Sequence, residues 1–198
     1  MSAVAGGATR ERLLHAARQV IEDAGYGAAS VAAIAERAGV AAGTLYRHFA
    51  SKEELFVEVF RSVCAREEHA MRSAAAAAAD RAGSVARVET VLGTFAERAL
   101  HNRRLAWALL AEPVDPLVDA ERLAYRERYA AIVAETLEAA IEAREIPPQD
   151  VEFTAAALVG ACGEALVGPL SPLGSVGRSA DGVVNALMTF VRRAIGSP

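Results

Sequence analysis

Residues 42–52 combine small side chains with polar ones that can hydrogen-bond to phosphates and to the edges of bases. Small residues at the start of a segment let its backbone approach a nucleic acid closely, and the polar side chains after them can reach phosphates or bases. A lysine follows at the N-terminus of the next helix, where free N–H groups and the helix dipole favour a phosphate. The residues that carry this chemistry are Ala42, Gly43, Thr44, Tyr46, Arg47, His48 and Lys52.

Two short helices and a tight turn must position these side chains. Ser30 can cap the first helix, Gly39 permits the turn, and the second helix is predicted from about residue 41 or 42 to Phe49. We interpret this stretch as a helix-turn-helix whose apolar side packs against a preceding helix. Its apolar residues are Val31, Ile34, Ala35, Val40, Leu45 and Phe49.

The flanking sequence predicts helices along the rest of the chain. Thr9 can cap a first helix that Gly25 ends, and Ser51 with Glu54 forms a capping box at the start of a long helix that stops before Gly83. Prolines and glycines, including the segment 168–177, then separate further helical segments. These are predicted at about 84–101, 103–111, 116–145, 149–167 and 180–195, which gives about nine helices.

Composition and charge agree with a helical protein. Of the 198 residues 46 are alanine, which is the best helix former and a poor strand former, so an all-α fold is predicted. The formal net charge is −4, but the first 50 residues hold five basic and four acidic residues, whereas the remainder holds 16 and 21. The acidity therefore belongs to the larger part of the chain, and it neither supports nor excludes a nucleic acid partner.

Other function classes find little support in the sequence. Charges interrupt every apolar run, so no membrane helix is expected, and the N-terminus does not have the pattern of a signal peptide. Cys64 and Cys162 are far apart and fit buried thiols of a reducing cytoplasm rather than a disulfide framework or metal motif. Phosphate-binding, dinucleotide and zinc motifs are missing, and so is a catalytic set. We expect a cytoplasmic protein that needs no cofactor or metal and is not an enzyme.

The helix-turn-helix and its surroundings resemble the tetracycline-repressor-like (TetR) family of bacterial transcriptional regulators. The likeness is close over about residues 9–57 and lies elsewhere only in the number and length of the helices. It is carried by Gly39-Val40, by Gly43-Thr44-Leu45-Tyr46-Arg47-His48-Phe49 and by Ser51-Lys52-Glu53-Glu54-Leu55, together with Ala16-Ala17, Gly25-Tyr26 and Ser30-Val31.

The resemblance implies a DNA-binding domain over residues 1–55 and an effector-binding and dimerisation domain over residues 56–198. It also implies that Thr44, Tyr46 and His48 contact phosphates or bases, and that Ser30 and Lys52 contact phosphates. Family members often carry a polar or basic residue where this chain has alanines at positions 41 and 42. Base preference is therefore expected to depend on Arg47, on Tyr46 and on close approach at Gly43.

The last two predicted helices are rich in small and apolar residues on several faces, which indicates burial beyond one copy of the chain. The resemblance implies that they pair with their counterparts in a homodimer. A dimer is also what two half-sites about one DNA turn (~34–36 Å) apart require. Packing within one chain is the alternative. The predicted interface residues are Ala156, Gly160, Gly163, Val184, Leu187, Phe190 and Val191.

Members of the family generally bind a small molecule within the larger helical domain. Large side chains in an otherwise alanine-rich bundle are the candidates for its walls, and nearby arginines suggest an apolar effector with an anionic group. Core packing and salt bridges along exposed helix faces are the alternative explanation. The predicted ligand-binding residues are Phe95, Trp107, Leu110, Arg122, Tyr125, Arg126, Tyr129 and Phe153.

These expectations combine into one function. The sequence predicts a homodimeric transcriptional repressor that an apolar effector releases from a palindromic operator. A helical ligand-binding or scaffolding protein whose helix-turn-helix no longer reads DNA is the alternative, and the alanines at positions 41 and 42 are its basis. Binding to double-stranded DNA distinguishes the two.

Overall fold

Helix-forming residues and glycine stops divide the chain into nine helices in the computed structural model, which describes residues 2–79, 83–174 and 177–196. The prediction of an all-α fold is confirmed, since the described residues contain no strand. The helices are α1 (Ser2–Ala24), α2 (Val31–Ala38), α3 (Ala42–Leu45), α4 (Lys52–Ala79), α5 (Ser84–His101), α6 (Arg103–Leu110), α7 (Pro116–Glu142), α8 (Val151–Leu170) and α9 (Ala180–Ala194).

Four predicted helix ends are wrong by three residues or more, and one of them is that of α7, which ends at Glu142 rather than at about residue 145. α1 already begins at Ser2, so Thr9 lies inside it and its hydroxyl accepts a hydrogen bond from Arg12 (3.4 Å) instead of capping the helix. α3 ends at Leu45 rather than at Phe49, because the N–H groups of Arg47 and His48 bond to carbonyls three residues back. α8 continues through Pro169 and ends one residue later.

The structure also corrects the expectation about apolar runs. α8 contains an 18-residue window with a mean hydropathy of 1.5, so by length and composition it could cross a membrane. Only 28% of that window is buried within the chain. α8 therefore has a long apolar surface that its own chain leaves largely uncovered.

The contacts group the chain into two compact units. The first contains the described residues up to Val63 together with Arg104–Arg122, and the second contains Cys64–Arg103 and the described residues from Leu123 onward. The first unit thus includes most of α6 and the start of α7, in addition to the segment predicted as a DNA-binding domain. The domain boundary after residue 55 stays a prediction.

The core of the first unit is built by α1, α2 and α3. Leu13 and Ala17 on α1, Ile34 on α2 and Leu45 at the end of α3 have no exposed surface. Phe49 is 1% exposed and closes the same core. Burial of these apolar side chains holds α2 and α3 against α1, since helices of eight and four residues are marginal alone.

In the second unit α5 packs against α8 and α9. Gly93 on α5 faces Met188 on α9, and a β-carbon added there would lie 3.5 Å from its sulfur, an ordinary van der Waals distance. Both cysteines are buried and are not joined in a disulfide bond, as their spacing predicts. Burial raises the pKa of the Cys162 thiol to about 12, which keeps it protonated at neutral pH.

Candidate nucleic-acid interface

Both ends of α2 are capped, and the cap at its C-terminal end fixes the turn to α3. The Ser30 hydroxyl accepts a hydrogen bond from the N–H of Ala33 (3.1 Å) at the start of α2. At the end of α2, Gly39 adopts a left-handed conformation (φ 66°), which other residues take only with strain. The N–H of Val40 then donates to the carbonyl of Ala35 (3.0 Å), so α3 begins in a defined direction.

The segment after α3 is a tight turn rather than a further helical turn. The N–H of Arg47 donates to the carbonyl of Thr44 (3.1 Å), and that of His48 donates to the carbonyl of Leu45 (2.9 Å). Leu45 and Phe49 fasten this turn to the core on its inner side, since they are 0% and 1% exposed. The residues between them are held in place by the backbone.

The structure leaves the predicted DNA-contacting residues at the surface. Tyr46 is 57% exposed, and its neighbour Arg47 is exposed as well. A β-carbon added to Gly43 would meet no atom within 4 Å, so the chain's own packing does not require a glycine there. Among the other predicted contacts Ser30 and Ala42 are exposed, and Thr44, His48 and Lys52 are half-buried.

Lys52 has aromatic neighbours that the sequence did not predict. Its ammonium nitrogen lies 5.1 Å from the centre of the Phe56 ring and 5.5 Å from that of Tyr26. The two rings contact each other, with 4.5 Å between their centres. The spacing of Lys52 and Phe56 by four residues on one helix is the sequence signal that could have indicated half of this arrangement.

The start of α4 is capped as predicted, with one difference. The N–H of Glu54 donates to the Ser51 hydroxyl (3.1 Å), which is half of a capping box. The Glu54 carboxylate reaches back to the N–H of Ala50 rather than to that of Ser51. Both contacts fix the chain direction immediately before Lys52.

A corner between α6 and α7, formed by residues 111–115, holds the turn that follows α1. The carboxylate of Glu112 accepts hydrogen bonds from the N–H groups of Tyr26 (3.0 Å) and Gly27 (3.1 Å). Burial raises the pKa of Tyr26, and a hydrogen bond from the backbone of Asp115 to its hydroxyl acts in the opposite direction. Sequence reasoning missed this contact, because 85 residues or more separate its partners.

Arg122, a predicted ligand-binding residue, forms hydrogen bonds with backbone carbonyls of its own chain. Its guanidinium donates to the carbonyls of Leu109 (2.7 Å), Ala108 (2.8 Å) and Glu112 (2.7 Å). These carbonyls lie at or just beyond the end of α6, where no further helical turn satisfies them. Arg122 therefore caps α6, and no effector contact needs to be invoked to explain it.

Of the predicted ligand-binding residues the structure brings three together in the second unit. The ring centre of Tyr129 lies 5.6 Å from that of Phe95 and 6.0 Å from that of Tyr125. Burial raises the pKa of Tyr129, whose hydroxyl donates to the carbonyl of Cys64 (3.2 Å). The remaining predictions lie elsewhere: Trp107 and Leu110 are half-buried on α6, Arg126 is exposed, and Phe153 is 73% exposed.

The predicted interface residues fall into two groups. Val191 and Leu187 are 0% and 5% exposed, so they pack within their own chain. Ala156, Gly160 and Phe190 are exposed, and Gly163 and Val184 are half-buried. A groove of about 330 Å³ lies between α8 and α9, lined by Ala161, Ala165, Pro169, Arg178, Val183, Ala186, Leu187 and Phe190.

The exposed residues around α3 have side chains suited to recognition by hydrogen bonds and charge. In the part of the chain that the structure describes, no group of histidine, cysteine and carboxylate side chains is placed to hold a metal ion. The exposed residues around α3 offer donors, acceptors and a close approach to the backbone, which is what contact with phosphates and base edges needs.

The segment that contains the helix-turn-helix is similar to known regulatory proteins. Residues 13–59 match the model of a family described as bacterial regulatory proteins, tetR family. The chain is 50% identical over 52 residues to the HTH-type transcriptional activator FasR of Mycolicibacterium smegmatis and 47% identical over 47 residues to the HTH-type transcriptional regulator UidR of Escherichia coli. These matches cover 26% and 24% of this chain, which spans 24% of the length of each relative.

Solved structures match over nearly the whole chain at low identity. The fatty acid degradation regulator FadR from Bacillus halodurans has a TM-score of 0.76 at 19% identity, covering 92% of this chain and 94% of its own. The regulator FadR from Bacillus subtilis, solved in complex with stearoyl-CoA, has a TM-score of 0.75 at 20% identity, covering 93% and 98%. At these identities the likeness shows a shared fold.

Proposed function

We propose that this chain, whose residues 13–59 match the model of the tetR family of bacterial regulatory proteins, is a cytoplasmic, homodimeric transcriptional repressor. It binds a palindromic operator and is released from it by a small apolar effector. The exposed residues of α3 and the following turn support this most directly, since Leu45 and Phe49 anchor the segment while Tyr46 and Arg47 face solvent.

We assign different roles to the DNA-contacting residues from their surroundings. Ser30 already accepts one hydrogen bond as a helix cap, and its hydroxyl proton remains to donate to a phosphate. Gly43 lets the backbone approach the duplex, because nothing in the chain fills the space beside it. Arg47 and Tyr46 have the reach for base edges, while Lys52 contributes a charge at the start of α4.

Replacing Lys52 by alanine should weaken binding to all duplexes and flatten the salt dependence. Loss of one phosphate contact lowers the slope of log affinity against log salt by about 0.9. Replacing Arg47 by alanine should instead change sequence preference, at a cost of about 1–3 kcal/mol at the contacted base pair. Selection from a random duplex library, followed by binding titrations at several salt concentrations, measures both.

Arg66→Ala is the matched control for charge, since Arg66 is exposed on α4 within the second unit. It should change neither the salt slope nor the preference. Equal effects of the Lys52 and Arg47 variants on selected and random duplexes would contradict the assigned roles. Failure of the unchanged protein to bind any duplex, including DNA from upstream of its own gene, would favour the ligand-binding or scaffolding alternative.

We place the dimer interface on α8 and the exposed side of α9. Small residues on α8 allow helices to approach closely, and 28% burial of its apolar window leaves that surface for a partner. Phe190, at 47% exposed, borders the groove and offers a large apolar side chain to the second copy. A dimer presents two helix-turn-helix segments, as a palindromic site requires.

The effector is proposed to be apolar with an anionic group. Phe95, Tyr125 and Tyr129 supply aromatic surface, and the stearoyl-CoA bound by the B. subtilis protein of the same fold has this chemistry. A ligand can release DNA only if it binds the DNA-incompetent state more tightly. Stearoyl-CoA and aromatic carboxylates should therefore stabilise the protein thermally and displace it from DNA. A response to neutral or cationic compounds alone would refute the anionic class.

A further inference from the structure

The corner between α6 and α7 is held by side-chain and backbone hydrogen bonds. Arg122 bonds to three carbonyls at the end of α6, and its side chain is only 13% exposed. The N–H groups of Ala111 and Glu112 both donate to the carbonyl of Trp107 (2.9 and 3.0 Å). The backbone that carries the Glu112 side chain is thus fixed from both sides.

Glu112 uses its carboxylate to hold the turn after α1. Gly25 is left-handed there (φ 87°), and successive N–H groups beside such a residue form a concave site for an anion. Glu112 fills that site with one oxygen on Tyr26 and the other on Gly27. Hydrogen bonds to an ionised carboxylate are about twice as strong as neutral ones.

Tyr26 contacts both Glu112, through its backbone N–H, and Lys52, through its ring. The corner holds its backbone, because the Tyr26 N–H donates to the Glu112 carboxylate (3.0 Å). Its ring packs on Phe56, and the Lys52 ammonium lies over both rings. A flexible lysine that is already held in place loses less freedom when it contacts a phosphate.

We propose that Glu112 is a positioning residue for DNA binding, which fixes Tyr26 and thereby holds Lys52 where it can contact a phosphate. This rests on the function proposed above. Glu112 itself touches no DNA. Its effect should therefore depend on Lys52 and be lost when Lys52 is removed.

The test is a double-mutant cycle between Glu112→Gln and Lys52→Ala on the selected duplex. A glutamine keeps the size of the side chain, but it offers one acceptor and turns an N–H toward the other donor. Glu112→Gln should weaken binding about fivefold and lower the salt slope by part of the ~0.9 expected for one phosphate. Adding Glu112→Gln to Lys52→Ala should have no further effect. Additive losses, or an unchanged slope, would overturn the proposal.

Glu145→Gln is the matched control. The Glu145 carboxylate also accepts a hydrogen bond from a backbone N–H, that of Val85 (2.9 Å), but within the second unit. The change removes the same charge and the same kind of bond, so it should leave DNA affinity and its salt slope unchanged. An equal effect of this variant would mean that net charge explains the result.

A second pair of variants changes Tyr26, the residue that contacts both Glu112 and Lys52. Tyr26→Leu removes the ring beneath Lys52 but keeps the N–H that Glu112 binds, and it should reproduce the loss of slope. Tyr26→Phe retains the ring and should retain the slope. If both variants behave alike, the ring does not position Lys52.

Hydrogen exchange separates failure of this proposal from failure of the proposed function. In Glu112→Gln without DNA, the amides of Tyr26 and Gly27 should exchange on the order of tenfold faster. If the unchanged protein binds no duplex, the proposed function fails, even where exchange shows that Glu112 holds the turn. If it binds and Glu112→Gln alters neither exchange nor slope, the positioning role alone is wrong.

Discussion

Replacement of Gly160 by glutamine is expected to convert the proposed dimer into a monomer and to reduce affinity for a palindromic duplex by about 10²–10⁴-fold. A β-carbon at Gly160 would meet no atom of its own chain within 4 Å, so the folded chain can accept the larger side chain. A closely packed partner helix could not. The loss follows because a single copy engages one half-site and no longer gains from the second.

Sedimentation velocity measures the oligomeric state, and titration of duplexes with one or two half-sites measures the gain from pairing. Gly7→Gln is the matched control, because Gly7 is an exposed helical glycine with nothing within 4 Å of an added β-carbon. Both substitutions favour helix by roughly 0.5–1 kcal/mol, so a difference between them reports the interface. A Gly160→Gln protein that remains a dimer with unchanged affinity would remove α8 from the interface.

Phe49→Ala should lower the free energy of unfolding by about 3–5 kcal/mol, the largest stability loss that we predict. The ring is 1% exposed within the first unit, and the guanidinium of Arg10 lies 4.9 Å from its centre. Truncation leaves a cavity and removes this cation–π contact. Denaturant unfolding followed by circular dichroism measures the change.

Tyr46→Ala provides the comparison, since Tyr46 lies three residues earlier in the same turn and is 57% exposed. Its stability should change by no more than about 0.5 kcal/mol, while its DNA preference changes. The pair tests which aromatic residue belongs to the core and which faces DNA. Comparable stability losses in the two variants would mean that Tyr46 is a packing residue.

Local backbone chemistry explains what could be predicted from the sequence. Gly25 and Gly39 end helices because a left-handed residue is needed at those points, which is a requirement of the local backbone. Ser30 caps α2 for the same local reason. The exposed positions of Tyr46 and Arg47 follow from the burial of Leu45 and Phe49 on the opposite side of the turn.

Most features that could not be predicted from the sequence depend on contacts between residues far apart in the chain. Glu112 binds the turn after α1 across 85 residues or more, and no spacing pattern in one sequence reveals that pairing. Arg122 belongs to a cluster of arginines in the sequence, and only its three carbonyl partners show that it caps α6. α8 continues through Pro169 to Leu170 although proline can donate no N–H to the carbonyl four residues back, and nothing in the structure explains this continuation.

The setting of Lys52 has a consequence for labelling. All other basic residues of the chain are arginines, so Lys52 is its only side-chain primary amine. An amine-reactive dye or acetylating reagent would therefore modify a single side chain, and that side chain lies over Tyr26 and Phe56 at the start of α4. The protein thus carries a built-in reporter, because DNA that contacts this amine shields it and slows its modification.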